Sequence, residues 1–108
     1  MKNYRKRIAD DILMRKLEGK GAVLIEGPKW CGKTTTAEQL AASILYVDDP
    51  EKKAQNITMS ELNPKRLLKG STPRLIDEWQ LAPKLWDAIR FEVDHRGELG
   101  QFLLTGSA

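Results

Sequence analysis

The chain has 108 residues, 18 of them Lys or Arg and 15 Asp or Glu, and its formal charge of +3 is scattered along the whole length. That length suits one small domain burying roughly two thirds of its unfolded surface, and it excludes two. Scattered basic residues mark no nucleic-acid-binding face, no apolar run approaches the ~20 residues of a membrane span, and a lone Cys31 excludes an intrachain disulfide.

The first residues, Met-Lys-Asn-Tyr-Arg-Lys-Arg, lack the apolar stretch and small-residue cleavage site of a secretory signal, so the expected location is the cytoplasm, without a membrane partner. From Tyr4 to Leu17 the apolar positions Tyr4, Ile8, Ile12, Leu13 and Leu17 predict an amphipathic helix, stopped by Gly19 and Gly21. Ala22 to Ile25 is a continuous apolar run, the mark of a strand buried on both faces. Lys33 to Ser43 carries Ala37, Leu40 and Ala41 at helical spacing, and Ile44 to Val47 is a second strand ending at Asp48-Asp49-Pro50. Residues 51–63 are polar and weakly patterned. Asn63-Pro64 opens a short helix through Leu68, and Gly70 stops it. Arg74 to Asp77 is a third strand. Leu81 to Val93 places Leu85, Trp86, Ile89 and Val93 on one helical face and ends at Gly97, and Gln101 to Thr105 is a fourth strand stopping at Gly106-Ser107-Ala108. Strands alternating with helices predict an α/β fold, a parallel sheet flanked by helices. Because the last core strand has no following helix to cover it, the chain reads as the front part of something longer.

The strongest chemical signal is Gly27-Pro28-Lys29-Trp30-Cys31-Gly32-Lys33-Thr34, which fits the G-x-x-x-x-G-K-[ST] phosphate loop directly after a strand and before a helix. Polyphosphate oxygens require several convergent N–H donors, and the amides of residues Trp30 to Thr35 at a helix N-terminus supply them. Side chains at Gly27 or Gly32 would obstruct the turn or the phosphate. Lys33 brings an ammonium to the β- and γ-phosphates, and the Thr34 hydroxyl ligates the bridging magnesium. The expected ligand is a nucleoside di- or triphosphate with Mg²⁺.

Leu75-Ile76-Asp77-Glu78 is an apolar strand ending in two acids. Asp77 is expected to hold the metal directly or through water, and Glu78 to polarise a water at the γ-phosphate. The bland alternative is a surface acidic pair. A strand lying in sequence between the phosphate-loop strand and the Asp77 strand favours a hydrolase over a kinase. If the last strand lies between those two in space, its tip points at the γ-phosphate, with Ser107 as phosphate sensor; an ordinary Gly-Ser turn is the alternative. Cys31 is either a reactive thiol or a small filler. His95 reads as a solvated helix-end residue, Trp79 and Trp86 as packing, and Arg90 and Arg96 as charged helix faces rather than finger residues for a neighbouring subunit.

The strings GAVLIEGPKWCGKTTTAEQLA, PRLIDEWQLAPKLWDAIRFEVD and QFLLTGSA resemble the N-terminal half of prokaryotic AAA-type ATPases, of the P-loop branch with a catalytic glutamate, whose chains continue into a nuclease-like C-terminal domain. The resemblance implies a RecA-like sheet of order 5-1-4-3-2, of which strands 1-4-3-2 are present and the fifth is missing. It places Lys33 and Thr34 in the first nucleotide motif, Asp77 and Glu78 in the second, and Ser107 at the sensor position. Residues 1–108 then form the truncated front of an ATPase domain that binds and hydrolyses ATP with Mg²⁺ to drive a partner or its own C-terminal part. A nucleotide-dependent switch with little turnover and a P-loop kinase are the alternatives. The missing C-terminal part and a second copy of the chain are the expected partners, nucleic acid is not indicated by this segment, and the 108 residues alone are expected to bind Mg-nucleotide weakly and hydrolyse it negligibly.

Overall fold

The computed structural model describes residues 21–27 and 33–107, with side chains for 21–25 and 37–106. The helix expected over Tyr4 to Leu17 lies outside the described residues. The elements run β1 (Ala22–Gly27), α1 (Lys33–Leu40), β2 (Ser43–Tyr46), α2 (Lys53–Leu62), α3 (Pro64–Leu67), β3 (Arg74–Asp77), a 3-10 turn (Trp79–Leu81), α4 (Lys84–Arg96) and β4 (Phe102–Ser107).

The four strands form one parallel sheet in the order β1-β4-β3-β2. This is the α/β fold of the P-loop nucleoside triphosphatases, with helices on both faces. β4 has a partner on each side, Ala22 to Gly27 on one and Arg74 to Asp77 on the other, and Phe102 to Gly106 are all buried. Side chains alternate across a strand, so each apolar run feeds two cores. Val23, Leu75 and Leu103 pack with Ala37 of α1 on one face. On the other, Ile76, Phe102 and Leu104 meet Leu85 and Ile89 of α4, together with Val47, Leu68 and Ala82. Burying each such aliphatic side chain contributes about 1.5–3 kcal/mol.

Several expected boundaries move. α1 ends at Leu40 rather than Ser43, because Ser43 and Ile44 pair with Arg74 and Leu75 and the ladder outcompetes another helical turn. β2 accordingly shifts one residue back from the expected Ile44–Val47, although Val47 still donates its N–H to the Asp77 carbonyl (3.2 Å). Residues 51–63, read as unpatterned, contain the ten-residue α2. Its buried positions are Asn56 and Ser60, four apart on one face, so the inward stripe is polar. Asn56 donates to the carbonyls of Tyr46 (3.2 Å) and Val47 (3.3 Å), tying α2 to the end of β2. α3 is shorter than expected, with Leu68 as its C-cap.

The helix expected over Leu81 to Val93 is split: Trp79–Leu81 form the 3-10 turn, Pro83 caps α4, and α4 runs on to Arg96, closed by Gly97 at φ 65°. Trp86, expected on the inward face, is 36% exposed and packs its ring on Trp79 at 5.1 Å between centroids. β4 does not stop at Gly106: it continues through Ser107, because Gly106 and Ser107 pair in parallel with Glu26 and Gly27. No helix among the described residues is long and apolar enough to cross a membrane.

Candidate functional site

β1, β3 and β4 run parallel, so their carboxyl ends share one edge of the sheet, with Gly27 opposite Ser107 and Asp77 opposite Thr105. Parallel order also requires α1 to begin near that edge, since it follows β1. Lys33, Thr34 and Thr35 form its first turn, where backbone N–H groups lack helical acceptors and the helix dipole is positive. Their side chains, and Pro28, Lys29, Trp30, Cys31 and Gly32 entirely, lie outside the described residues. Ser107 is placed by its backbone alone, as the last residue of β4.

Asp77 closes β3 on the face that α1 covers, because it is two residues past Leu75. Thr105 falls on the same face by the same count from Leu103. The register sets the two opposite each other, and the Thr105 hydroxyl donates to Asp77 Oδ1 at 2.6 Å in a buried contact. Asp77 is 8% exposed and Glu78 5%. The acidic pair is therefore part of the interior edge, not a surface feature, and hydrogen bonding is what makes such burial tolerable.

Glu78 adopts the left-handed conformation, φ 60° and ψ 46°, and is the only non-glycine residue at positive φ among those described. The chain reverses there into the 3-10 turn, the Leu81 N–H reaching the Glu78 carbonyl at 3.2 Å. The turn returns Gln80 to Glu78, and the Gln80 amide donates to Glu78 Oε1 at 2.5 Å. The indole N–H of Trp79 is buried without a partner among the described residues.

On the neighbouring strand Tyr46 lies opposite Asp77, and its hydroxyl donates to Glu38 Oε2 on α1. That hydrogen bond, then burial, then the negative charges of Glu38 and Asp77 push the Tyr46 phenol up to about 12.

Of the residues singled out in sequence, the backbone brings Gly27, Asp77, Glu78, Ser107 and the first turn of α1 to one edge. Thr105 and Gln80 were not singled out. A threonine inside the apolar run Phe102-Leu103-Leu104 was the available signal for the first, and the second had none. His95 sits in the last turn of α4, exposed, with Nδ1 2.9 Å from the Phe91 carbonyl and its ring stacked on Phe91, as a helix-end residue. Arg96 is held by Glu92 (3.1 Å) and Gln101 (2.8 Å), consistent with a structural charge.

Among the described residues no group of three or more His, Cys, Asp or Glu is arranged to hold a metal ion. A magnesium ion shared with phosphates needs few protein ligands, and the oxygens of Asp77 suit that hard cation. Residues 19–108 match a family model described as an AAA domain. No curated protein and no solved structure matches the chain.

Proposed function

The chain belongs to the AAA domain family, whose members bind nucleotide with Mg²⁺, and on that premise we propose that it binds Mg-ATP between β1 and α1 and hydrolyses it. The supporting observation is the buried Asp77-Glu78 pair at the carboxyl end of β3, on the same sheet edge as Gly27 and the start of α1. An acidic pair placed there by composition alone would be solvated. In this reading Gly27, Pro28, Lys29, Trp30, Cys31, Gly32 and Thr35 line the phosphate loop, and Lys33 neutralises the β- and γ-phosphates.

Thr34 and Asp77 would hold the magnesium ion, which would supply charge neutralisation on the phosphate oxygens. Thr105 keeps the Asp77 carboxylate oriented through the bond to Oδ1. Glu78 accepts the proton of a water as that water's oxygen bonds to the γ-phosphorus and the bond to the bridging oxygen of ADP breaks. Ser107 orients the γ-phosphate from the tip of β4. The work is delivered to a partner or to a further part of the same protein, for which the nuclease-like domain implied by the resemblance is the candidate.

Titrating a fluorescent ATP analogue against the unsubstituted chain and Lys33→Ala tests the binding step. An affinity loss of two orders of magnitude or more is expected with the fold retained. Equal affinities overturn the reading and leave the loop as a structural turn.

A further inference from the structure

We propose that Gln80 is a positioning residue for Glu78, and that Gly106 is glycine to leave room for it. The inference rests on the reading of Glu78 as the base that accepts the proton from water.

Three observations converge. First, the positive φ of Glu78 folds the chain back within two residues, so that an exposed side chain, Gln80, donates to a carboxylate that is itself 5% exposed. An N–H donor on a carboxylate forms a charge-assisted bond, stronger and more directional than a neutral one. Second, a Cβ built on Gly106 would stand 2.6 Å from Gln80 Oε1 and 3.1 Å from Trp79 Nε1. Gly106 is not at positive φ, so a side chain there would meet no backbone penalty; its Cβ would instead displace the mobile Gln80 amide and press on the Trp79 indole. Third, Gly106 directly precedes Ser107 on β4, so the Gln80 amide packs one residue away from the strand tip assigned to phosphate sensing. One oxygen of Glu78 is thereby fixed from the solvent side by a group that is itself seated against β4.

A base that accepts a proton from a water attacking phosphorus must hold its oxygen to within a fraction of an ångström, and a displacement of about 1 Å can cost ~10²-fold in rate. The role proposed for Gln80 is to hold Glu78, not to contact the nucleotide. Its loss acts through Glu78, on kcat and not on nucleotide affinity.

The test uses full-length protein, with steady-state and single-turnover phosphate release and nucleotide binding measured on each variant. Gln80 is exposed and outside both cores, so Gln80→Ala and Gln80→Glu are expected to fold. Each is expected to lower kcat ~10- to 100-fold with KM within twofold, Gln80→Glu the more because it sets a like charge against Glu78. In a Glu78→Gln background, adding Gln80→Ala is expected to change the single-turnover rate less than twofold, because the group it positions is already gone. Gly106→Ala is expected to reproduce the kcat loss and to add nothing to Gln80→Ala. If Glu78→Gln abolishes turnover while Gln80→Ala leaves kcat unchanged, this inference fails and the base reading stands. A loss that multiplies in the Glu78→Gln background, or one that appears in KM alone, also overturns it. If Glu78→Gln itself turns over normally, or the unsubstituted protein binds Mg-ATP without hydrolysing it, the base reading falls and takes this inference with it.

Discussion

Two neighbouring strands of the sheet, β2 and β3, carry acidic pairs at their carboxyl ends, Asp48-Asp49 beginning two residues after Tyr46 and Asp77-Glu78 beginning on the last residue of β3, and the two pairs have opposite fates. β2 is an edge strand. Beyond it Asp49 is spent on a turn: its carboxylate accepts the Glu51 N–H at 3.0 Å and its carbonyl the Lys52 N–H at 2.9 Å. Asp48 and Asp49 both remain half-exposed. β3 is flanked by β2 and β4, and there the pair is buried, one acid bonded by Thr105 and the other by Gln80. Place in the strand order, rather than acidity, separates a turn from a candidate site, and strand order is a property of the whole sheet.

The sharpest way to break this comparison is to neutralise one acid in each pair. Glu78→Gln is expected to keep Mg-ATP binding and to lower phosphate release by the full-length protein ~10²- to 10⁴-fold, whereas Asp49→Asn leaves it within twofold. Equal effects in the two variants would mean that burial at the end of β3 carries no catalytic consequence. Asp77→Asn is expected to act next most strongly, and on a different axis. It raises the magnesium concentration required for half-maximal nucleotide binding by ~10-fold or more, while Asp48→Asn leaves the magnesium titration unchanged.

How far these two tips were legible beforehand differs for a physical reason. The strand Arg74 to Asp77 and its acids stood out because a buried central strand must be apolar and its polar end is conspicuous. Thr105 and Gln80 did not. One owes its place to pairing between segments 28 residues apart, and the other to a backbone reversal at a glutamate, a residue that seldom adopts positive φ. α2 was hidden for a related reason: its inward residues are Asn56 and Ser60, so a search for apolar periodicity passes over it. Gly106 reads as a turn in a lone sequence, yet in the sheet it is a ladder residue kept small by what packs against it. Polar groups buried through partners distant in sequence are what local pattern reading misses.

Those partners set up a second contrast, in stability. Thr105→Val removes the donor to buried Asp77 without changing the shape of the side chain, and Asn56→Ala removes the donor shared by the Tyr46 and Val47 carbonyls. Thr105→Val leaves the buried Asp77 carboxylate short of one donor, Asn56→Ala does the same to the buried Val47 carbonyl, and each is expected to cost about 1–3 kcal/mol, read as a lower urea midpoint at unchanged slope. The two losses should then part: Thr105→Val also weakens the magnesium dependence of nucleotide binding, since it removes one of the bonds that orient the Asp77 carboxylate, whereas Asn56→Ala does not. Equal effects on magnesium would erase the distinction between the two tips.

The smallest expected effect reports on whether the tips sense each other at all. Tyr46 ends β2 opposite Asp77, and its phenol is held up to about 12 chiefly by donating to Glu38, with the charge on Asp77 the last contributor. Absorbance titration at alkaline pH is expected to show one of the two tyrosines ionising late, and Tyr46→Phe removes that component. Glu38→Gln should bring most of the shift back towards the ordinary 10.0, Asp77→Asn only a little, and Asp49→Asn none. A folded-state value raised above the unfolded one stabilises the fold below pH 10, and that contribution is lost as the pH climbs from 10 towards 12. With Tyr46 40% exposed, solvent screens much of it, so the urea midpoint of Tyr46→Phe should fall only slightly at neutral pH and converge on the unsubstituted chain above pH 12. A Tyr46 titration that ignores Asp77→Asn would show that the buried carboxylate is electrically isolated from the edge strand, and the two acidic pairs would then differ in field as well as in burial.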